Sequence, residues 1–391
     1  MITSIAYLLI GGLTLGYLCN KLRLPSLVGM LAAGIALGPA GLDLLDNSLL
    51  NISIELRQIA LVIILLRAGL ALNLSELKQV GRPAVMLCFV PACCEIAGIM
   101  LIAPSLLGVS LLEAAIIGAV VAAVSPAVIV PKMLKLMSEG RGTNKGIPQM
   151  IMAGGSVDDV FVIVLFTAFT TLAAGGEVSA LSILDIPISI ILGALVGYAS
   201  GALFAAYFKR FHTRDSIKLL VLLSIAFLFL TLEHWAQGTV AISGLLAVMV
   251  MGITILSRYP TLAQRLSPKL NKMWVGAEVL LFVLVGASVN IDYAAKAGVA
   301  AICLIFLALV CRMVGVFFSM SGSPLNTKER LFCMIAYTPK ATVQAAIGSL
   351  PLAMGLPCGE IVLTVAVLSI LITAPLGAFG IDLSYERLLK R

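Results

Sequence analysis

Charged residues are scarce in this sequence, at 12% of 391 positions, whereas hydrophobic residues make up 61%. Soluble domains carry about twice that share of charge, so the composition excludes a soluble protein and favours a multi-pass membrane protein. No stretch is polar enough to form a separate soluble domain. The net charge of +7 follows from the placement of basic residues in membrane loops and does not indicate a nucleic-acid partner.

Residues that usually build catalytic and metal centres are also few. The two histidines, His212 and His234, stand alone near span ends, and the eight cysteines lie mostly within apolar runs without CxxC spacing. No phosphate-binding loop, nucleophile elbow or Ser/His/Asp set occurs. We therefore predict no enzyme activity, no cofactor and no resident metal, and we interpret the cysteines as packing residues.

Apolar runs separated by short polar turns predict thirteen membrane spans. The first residues lack the basic segment of a cleaved signal, so the first run is expected to be retained as a span. The predicted spans are 3–19, 24–41, 52–73, 83–104, 111–136, 147–173, 185–207, 216–232, 238–256, 273–290, 297–320, 330–350 and 359–380.

The loops on alternate sides of these spans differ sharply in charge. One side carries 21 of the 26 Lys and Arg residues, and the other carries only Arg57 and Lys296. Because basic loops stay in the cytoplasm, this asymmetry predicts an outside N-terminus and a cytoplasmic C-terminus, in a plasma or inner membrane.

Three pairs of similar segments, each seven spans apart, indicate an internal repeat. The pairs are VGMLAAGIALG from Val28 with SGLLAVMVMG from Ser243, GLALNLSEL from Gly69 with GASVNIDYA from Gly286, and VSPAVIVP from Val124 with YTPKATVQ from Tyr337. An odd offset reverses orientation, so spans 1–6 and 8–13 are predicted to be inverted repeats joined by span seven.

The third pair contains prolines near mid-membrane: Pro126 and Pro131 in span five, and Pro339 in span twelve. Proline removes a helix hydrogen bond and frees backbone groups. Two broken helices at equivalent repeat positions indicate a transport site, although ordinary proline kinks are the alternative.

Asp158 and Asp159 lie together in the middle of span six, Asp159 about 18 Å into a hydrocarbon core of about 30 Å. A carboxylate at that depth is costly and usually marks an ion or proton path. With an effective dielectric near 20 and a separation of about 6 Å, their repulsion is about 3 kcal/mol. One proton or one small cation would relieve it, whereas the alternative is a pair held only by hydrogen bonds.

Other charges within spans are candidate partners. Glu95 and Arg312 occupy equivalent spans of the two repeats at similar depth, and we predict an ion pair between them whose role is mainly structural. Reversing both charges together should then restore any stability lost by either single change. Lys340 follows Pro339 and is expected to pair with Asp158, leaving Asp159 for the ion; alternatively, it screens the carbonyl groups of a half-helix.

Two further charges lie closer to the membrane surface. Arg67, near the inner end of span three, is expected to extend its guanidinium toward the interface. Glu278, just inside span ten, is interpreted as an interfacial charge. Both remain candidates for a cytoplasmic funnel.

Several motifs resemble the sodium/proton antiporters of the cation/proton antiporter superfamily, in particular the animal and bacterial NHA-type branch. The resemblance extends over nearly the whole chain and includes the isolated Glu95 and Arg312. The motifs are GGSVDDVF (154–161), VSPAVIVP (124–131), PKATVQAAIG (339–348) and LLRAGLALN (65–73).

This resemblance implies that Asp159 carries Na⁺, Li⁺ or a proton, that Asp158 assists it, and that groups near Ser125 and Thr338 at the broken helices complete the site. It also implies a homodimer in lipid, in which a core moves like an elevator against a dimerising scaffold. Some electrogenic relatives carry lysine where this chain has Arg312, so the charge moved per cycle stays open.

The same resemblance suggests a division of the chain. Residues 1–82 and 216–296 would form the scaffold, 83–176 and 297–391 the ion-transporting core, and 177–215 the linker helix.

Other functions remain as alternatives: a K⁺/H⁺ antiporter, a sodium-coupled organic-anion symporter of similar fold, and a cation channel. The paired aspartates disfavour anion transport, because anion sites more often use half-helix N-termini and few acids. A channel would usually show filter loops or rings of charge, and neither is visible.

Overall fold

The computed structural model describes residues 1–71, 81–174, 180–236 and 242–390, and within these ranges the chain is helical and has no strands. Within the described ranges, nine helical stretches are long and apolar enough to cross a membrane, and two of these, Arg82–Leu107 and Leu111–Ser138, each consist of two consecutive helices. Three shorter stretches, Ser26–Leu37, Gly244–Arg258 and Thr342–Ala353, are also apolar. Each of the thirteen predicted spans coincides with a helix or with a broken helix. The predicted all-α fold class is confirmed.

Nine helices are described in the first half of the chain. They are α1 (Ile2–Lys21), α2 (Ser26–Leu37), α3 (Asn47–Asn51), α4 (Ser53–Ala71), α5 (Arg82–Leu87), α6 (Val90–Leu107), α7 (Leu111–Val121), α8 (Pro126–Ser138) and α9 (Ile147–Ala174). A 3-10 turn at Thr143–Lys145 precedes α9.

A further nine are described in the second half. They are α10 (Ala180–Arg210), α11 (Asp215–Ala236), α12 (Gly244–Arg258), α13 (Pro260–Ala287), α14 (Ile291–Ser319), α15 (Thr327–Ala336), α16 (Thr342–Ile347), α17 (Leu350–Ala353) and α18 (Gly359–Leu388).

Some predictions fall outside the described residues. They concern the end of the third span at 72–73, the repeat segment at 73–77, Lys78, the boundary between the predicted core and linker at 176–177, and the start of the ninth span at 238–241.

Two compact units are distinguished by their internal packing. The first comprises Met1–Ser53, Asn73–Val162 and Leu281–Arg391, and the second comprises Ile54–Leu72 and Ile163–Leu280. This division is not the same as the predicted division into scaffold and core, which stays a prediction.

Helix ends in the first unit follow local sequence signals. Ser110 and Glu113 form a capping box at the start of α7, and Asn326 and Glu329 form another at the start of α15. Gly108 ends α6 in the left-handed conformation that glycine adopts without strain. These signals fix where the two broken helices begin.

In the second unit, α10 and α12 pack backbone to backbone. A Cβ atom at Gly197 would lie 2.5 Å from the carbonyl oxygen of Ala247, so only glycine permits this approach. Glu233, at the end of α11, accepts a hydrogen bond from the backbone N–H of Gly244 at 3.0 Å and so caps α12.

Candidate cation and proton site

Two interrupted helices meet in the first unit. Helix α7 ends at Val121 and α8 begins at Pro126, while α15 ends at Ala336 and α16 begins at Thr342. The backbone N–H of Ser125 donates to the carbonyl oxygen of Pro339 at 2.8 Å, so the breaks are in direct contact. The two predicted broken helices are confirmed.

The prolines have different roles at these breaks. Pro126 occupies the first turn of α8, where its missing N–H is not needed, and Pro339 lies within the second break. Pro131, by contrast, lies inside α8 and does not interrupt it. The prediction that Pro131 helps to break span five is therefore wrong.

The backbone carbonyl groups at the C-terminal end of α7, which the break leaves without helix partners, accept hydrogen bonds from side chains of the second repeat. Lys340 Nζ donates to Val121 O at 2.6 Å, and Gln344 Nε2 donates to Ala123 O at 2.8 Å. Arg312 Nη1 donates to Ala122 O. Because the C-terminus of a helix carries partial negative charge, these two cations and one amide stabilise the break.

A buried chain of ion pairs links the same cations to two acids. Lys340 Nζ lies 2.7 Å from Glu95 Oε1, Arg312 Nη1 lies 3.0 Å from Glu95 Oε2, and Arg312 Nη2 lies 2.8 Å from Asp158 Oδ2. All four side chains are at most 1% exposed. The structure contains the predicted Glu95–Arg312 ion pair.

Lys340 does not form the predicted ion pair with Asp158. Its ammonium contacts Glu95 and the Val121 carbonyl, and Arg312 takes the place beside Asp158. The longer, forked guanidinium can bridge two acids, whereas the ammonium is a compact charge that sits on one. The alternative expectation, that Lys340 screens half-helix carbonyls, describes this geometry.

The two aspartates have different surroundings. Asp158 Oδ2 accepts hydrogen bonds from the Val124 N–H at 2.9 Å and from Arg312. Asp159 is 7% exposed and forms no ion pair with any described basic residue, and its Oδ1 has no hydrogen-bond partner. Among the described residues, Asp158 is therefore held through Oδ2 by a cation and a backbone N–H, whereas Asp159 has no basic partner; the Oδ1 atoms of both aspartates lack a hydrogen-bond partner.

The charges of these buried side chains balance only when Asp159 is neutralised. Glu95 and Asp158 balance Arg312 and Lys340, so these four ionised groups form a neutral network. Asp159 adds one uncompensated negative charge when ionised. Since an unpaired buried carboxylate is costly, it is stabilised by binding either a proton or a small cation.

Ser125 and Thr338, the predicted broken-helix ligands, lie at the two breaks and are both buried. Ser125 Oγ has no hydrogen-bond partner among the described residues and offers a lone pair to a cation. The Thr338 hydroxyl donates to Ile335 O at 2.8 Å, within its own helix turn, and keeps acceptor capacity.

Arg67 and Glu278 lie in the second unit, where both are partly buried. The Arg67 guanidinium and the Glu278 carboxylate are neighbouring opposite charges, but their nitrogen and oxygen atoms are more than 4 Å apart, so they do not form an ion pair. The funnel role predicted for them stays a prediction.

Three supporting residues were missed by the sequence reasoning. Gln344 covers the α7 carbonyls, Thr373 Oγ1 accepts the backbone N–H of Lys340 at 3.0 Å, and Tyr337 O accepts from Arg312 Nε at 2.9 Å. The Arg312 guanidinium also lies 5.5 Å from the centre of the Tyr337 ring. For Gln344 the only available signal was a polar side chain close to a predicted break, and Thr373, in span thirteen, lacked even that signal.

Residues 5–382 match a protein family described as "Sodium/hydrogen exchanger, transmembrane". The chain belongs to this family. As a member of an exchanger family it is a multi-pass membrane transporter, which confirms the prediction that it is not an enzyme.

Individual relatives support the same assignment. The exchanger is 36% identical over 408 residues to human Sodium/hydrogen exchanger 9B2, a match that covers 98% of this chain and 73% of the human protein. It is 34% identical over 402 residues to the Xenopus tropicalis protein of the same name, with 96% and 72% covered.

A solved structure shows the same fold. The exchanger matches the sodium proton antiporter MjNhaP1 from Methanocaldococcus jannaschii with a TM-score of 0.84 and 20% identity, over 99% of both chains. The antiporter fold implied by the family resemblance is confirmed.

Proposed function

We propose that the exchanger moves cytoplasmic Na⁺ or Li⁺ outward in exchange for external H⁺, and that Asp159 carries both ions in turn. Its family and its relatives named sodium/hydrogen exchangers support the class of transport. The observation that carries the residue assignment is the neutral network of Glu95, Asp158, Arg312 and Lys340, beside which Asp159 is the uncompensated acid.

Competition at Asp159 couples the two fluxes. A carboxylate can hold a proton or a sodium ion, and either one neutralises the buried site. If the loaded site crosses the membrane more readily than the empty one, alternating access yields obligate exchange. No direct contact between the two transported ions is required.

Asp158 assists as a fixed charge. Its Oδ2 accepts hydrogen bonds from Arg312 and from the Val124 N–H, while its Oδ1 has no hydrogen-bond partner in the part of the chain that the structure describes. That oxygen and the free Ser125 Oγ are oxygen ligands of the kind that hard monovalent cations prefer. Thr338, at the other break, is a further candidate ligand.

The site favours a cation over an organic anion as the cargo. Both buried cations are already paired with acids and with helix carbonyls, so neither is free to bind a carboxylate substrate. The four-residue network is neutral, so an ionised Asp159 gives the site as a whole a net charge of −1, which repels anions. A K⁺/H⁺ exchanger would use the same carboxylate site, so the experiment below compares K⁺ with Na⁺ and Li⁺.

The arrangement in the cell follows from the loop charges and the family resemblance. The exchanger lies in the plasma or inner membrane with its N-terminus outside, and it works as a homodimer whose core moves like an elevator against the scaffold. Scaffold residues 1–82 and 216–296 would mediate dimerisation.

The experiment that tests the proposal uses proteoliposomes with an imposed pH gradient and a lumenal pH dye. Addition of Na⁺ or Li⁺ should move protons with wild-type protein, and K⁺ should have little effect. Asp159→Asn should abolish the response, because the amide cannot bind a proton or pair with a cation.

A matched control replaces an exposed acid. Asp292→Asn alters a carboxylate in the first turn of α14, outside the buried network, and should leave exchange intact. Equal thermal stability of Asp159→Asn and wild type would show that the site variant is folded. Exchange retained by Asp159→Asn would move the carrier role to another group.

A further inference from the structure

A five-residue pattern occurs at equivalent positions of the two inverted repeats. Helix α6 carries Cys94-Glu95-Ile96-Ala97-Gly98 and α14 carries Cys311-Arg312-Met313-Val314-Gly315. Each copy consists of a cysteine, a charged residue, two apolar residues and a glycine. The charged residues are the two that form the central ion pair.

The cysteines and glycines also contact each other across the repeats. The Cys311 Sγ atom lies 2.5 Å from the position that a Cβ atom would take at Gly98. Cys94 Cβ lies 3.0 Å from the corresponding position at Gly315. Each cysteine therefore fills the notch left by the glycine of the other helix.

This reciprocal packing brings the two thiols to one helix crossing. Cys94 and Cys311 are free cysteines on the two facing helices, and each lies against the glycine that is four residues from the other along its helix. Both are only partly buried, unlike Glu95 and Arg312, which follow them in sequence and are at most 1% exposed. A reagent at the outer surface of this helix pair can therefore reach the thiols without crossing the ion-pair network.

We propose that Cys94 and Cys311 form a dithiol site for soft, thiophilic electrophiles, of which trivalent arsenicals are the chemical class best suited. Phenylarsine oxide would form two As–S bonds, one with each thiol. The two thiol protons leave with the arsenic-bound oxygen as one water molecule. Arsenic keeps its oxidation state throughout, so the reaction needs no oxidant or reductant.

Occupancy of this site would block exchange, a consequence that rests on the proposed function. The Cys311 side chain fills the space beside Gly98, with Sγ 2.5 Å and Cβ 2.9 Å from the position of a Cβ atom there. A bridge to Cys94 would turn this sulfur out of that space, loosen the packing of α6 on α14, and draw Arg312 away from Glu95 at 3.0 Å and Asp158 at 2.8 Å. The charge balance around Asp159 would be lost.

The test measures adduct formation separately from transport. Purified protein is treated with phenylarsine oxide and analysed by intact mass, and proton exchange is followed in proteoliposomes. We compare Cys94→Ala and Cys311→Ala with Cys93→Ala and Cys303→Ala, which remove exposed cysteines from the same two helices. Thermal stability of each variant before treatment shows that it is folded.

The proposal predicts one phenylarsenic group on wild type, Cys93→Ala and Cys303→Ala, with exchange lost in all three. Neither Cys94→Ala nor Cys311→Ala should retain the bridged adduct, and both should keep exchanging in the presence of the reagent. A dithiol such as 2,3-dimercaptopropanol should reverse the modification, whereas an equal concentration of monothiol should not.

Other outcomes overturn specific parts of the proposal. An adduct that persists in Cys311→Ala but disappears in Cys93→Ala would place the site at the neighbouring Cys93 and Cys94. A bridged adduct without loss of exchange would refute the coupling to the ion pairs. If wild type shows no exchange before treatment, the proposed function fails, while the mass measurement still decides the dithiol site.

Discussion

Arg312 Nη1 lies 3.0 Å from Glu95 Oε2, although the two residues are 217 positions apart in the chain. They occupy equivalent helices of the two repeats, α14 and α6. The contact is not an isolated pair, because Arg312 also binds Asp158 and Glu95 also binds Lys340. A change at either residue therefore removes an ion pair from two other charged groups: Arg312 and Lys340 lose Glu95, or Glu95 and Asp158 lose Arg312.

Reversal of this pair should fail to rescue the protein. In the double variant Glu95→Arg/Arg312→Glu, an arginine at position 95 would face Lys340 and a glutamate at position 312 would face Asp158. We expect each single variant to lose about 3–5 kcal/mol of unfolding free energy, and the double variant to recover little of it. Denaturant unfolding in detergent measures these differences. Because Asp158 and Lys340 also pair with the two residues, this prediction replaces the simple rescue expected from the sequence.

The control for this prediction removes the like-charge contacts. Adding Lys340→Gln and Asp158→Asn to the reversed pair leaves the new arginine and glutamate to bind each other. This quadruple variant should be more stable than the reversed double variant. If the double variant alone already matches wild type, Lys340 and Asp158 do not belong to the same energetic network.

The helices and their breaks could be predicted because they depend on local properties. Apolar run length decides where a span lies, and proline at 126 and 339 decides where the helix hydrogen bonds stop. The Glu95–Arg312 pair could also be predicted, because equivalent spans and similar depth bring the two charges close together.

The partner of Lys340 could not be predicted in the same way. Its choice between Glu95 and Asp158 depends on how α6, α9 and the second break are rotated about their axes, which hydropathy does not encode. The carbonyl contacts of Gln344 depend on the crossing of the two breaks. Such contacts arise from tertiary packing and leave little trace in residue spacing.

Gln344 is expected to stabilise the first break. Gln344→Leu removes the donor to Ala123 O at 2.8 Å and to Val121 O at 3.2 Å. An unpaired buried carbonyl costs about 1–3 kcal/mol, so the unfolding free energy should fall by that amount. Chemical denaturation in detergent provides the measurement.

Ser369→Ala is the matched control for Gln344→Leu. Ser369 is also buried, but its hydroxyl donates only to Ala366 O within the same helix, α18. Its loss should cost less than about 1 kcal/mol, because the helix still satisfies that carbonyl. Equal losses in the two variants would argue against a specific role for Gln344.

Gly154 is required by the position of Tyr337. A Cβ atom at Gly154 would lie 2.3 Å from Tyr337 Oη and 2.9 Å from Leu87 Cβ. Gly154→Ala should therefore cost about 1–3 kcal/mol by overpacking. Adding Tyr337→Phe removes the clashing oxygen and should recover part of that loss, as measured by thermal unfolding.

The control for the Gly154 prediction is Gly298→Ala in α14, where a Cβ atom would meet nothing within 4 Å. This change should be neutral or slightly stabilising, since alanine favours the helix. If Tyr337→Phe lowers the stability of Gly154→Ala further, the hydroxyl is not the clashing group and the backbone must move instead.

The pH dependence of exchange follows from competition at Asp159. As the cytoplasmic-side pH falls, protons occupy the carboxylate more often, and a cation must displace them to bind. The apparent KM for Na⁺ should then rise, by about tenfold per pH unit once the proton is the main occupant, while the maximal rate at saturating Na⁺ changes little. Initial rates in proteoliposomes across a series of Na⁺ concentrations and pH values measure both quantities. A constant KM with a falling maximal rate would mean that protonation of another group, and not exchange of ions at Asp159, limits transport at low pH.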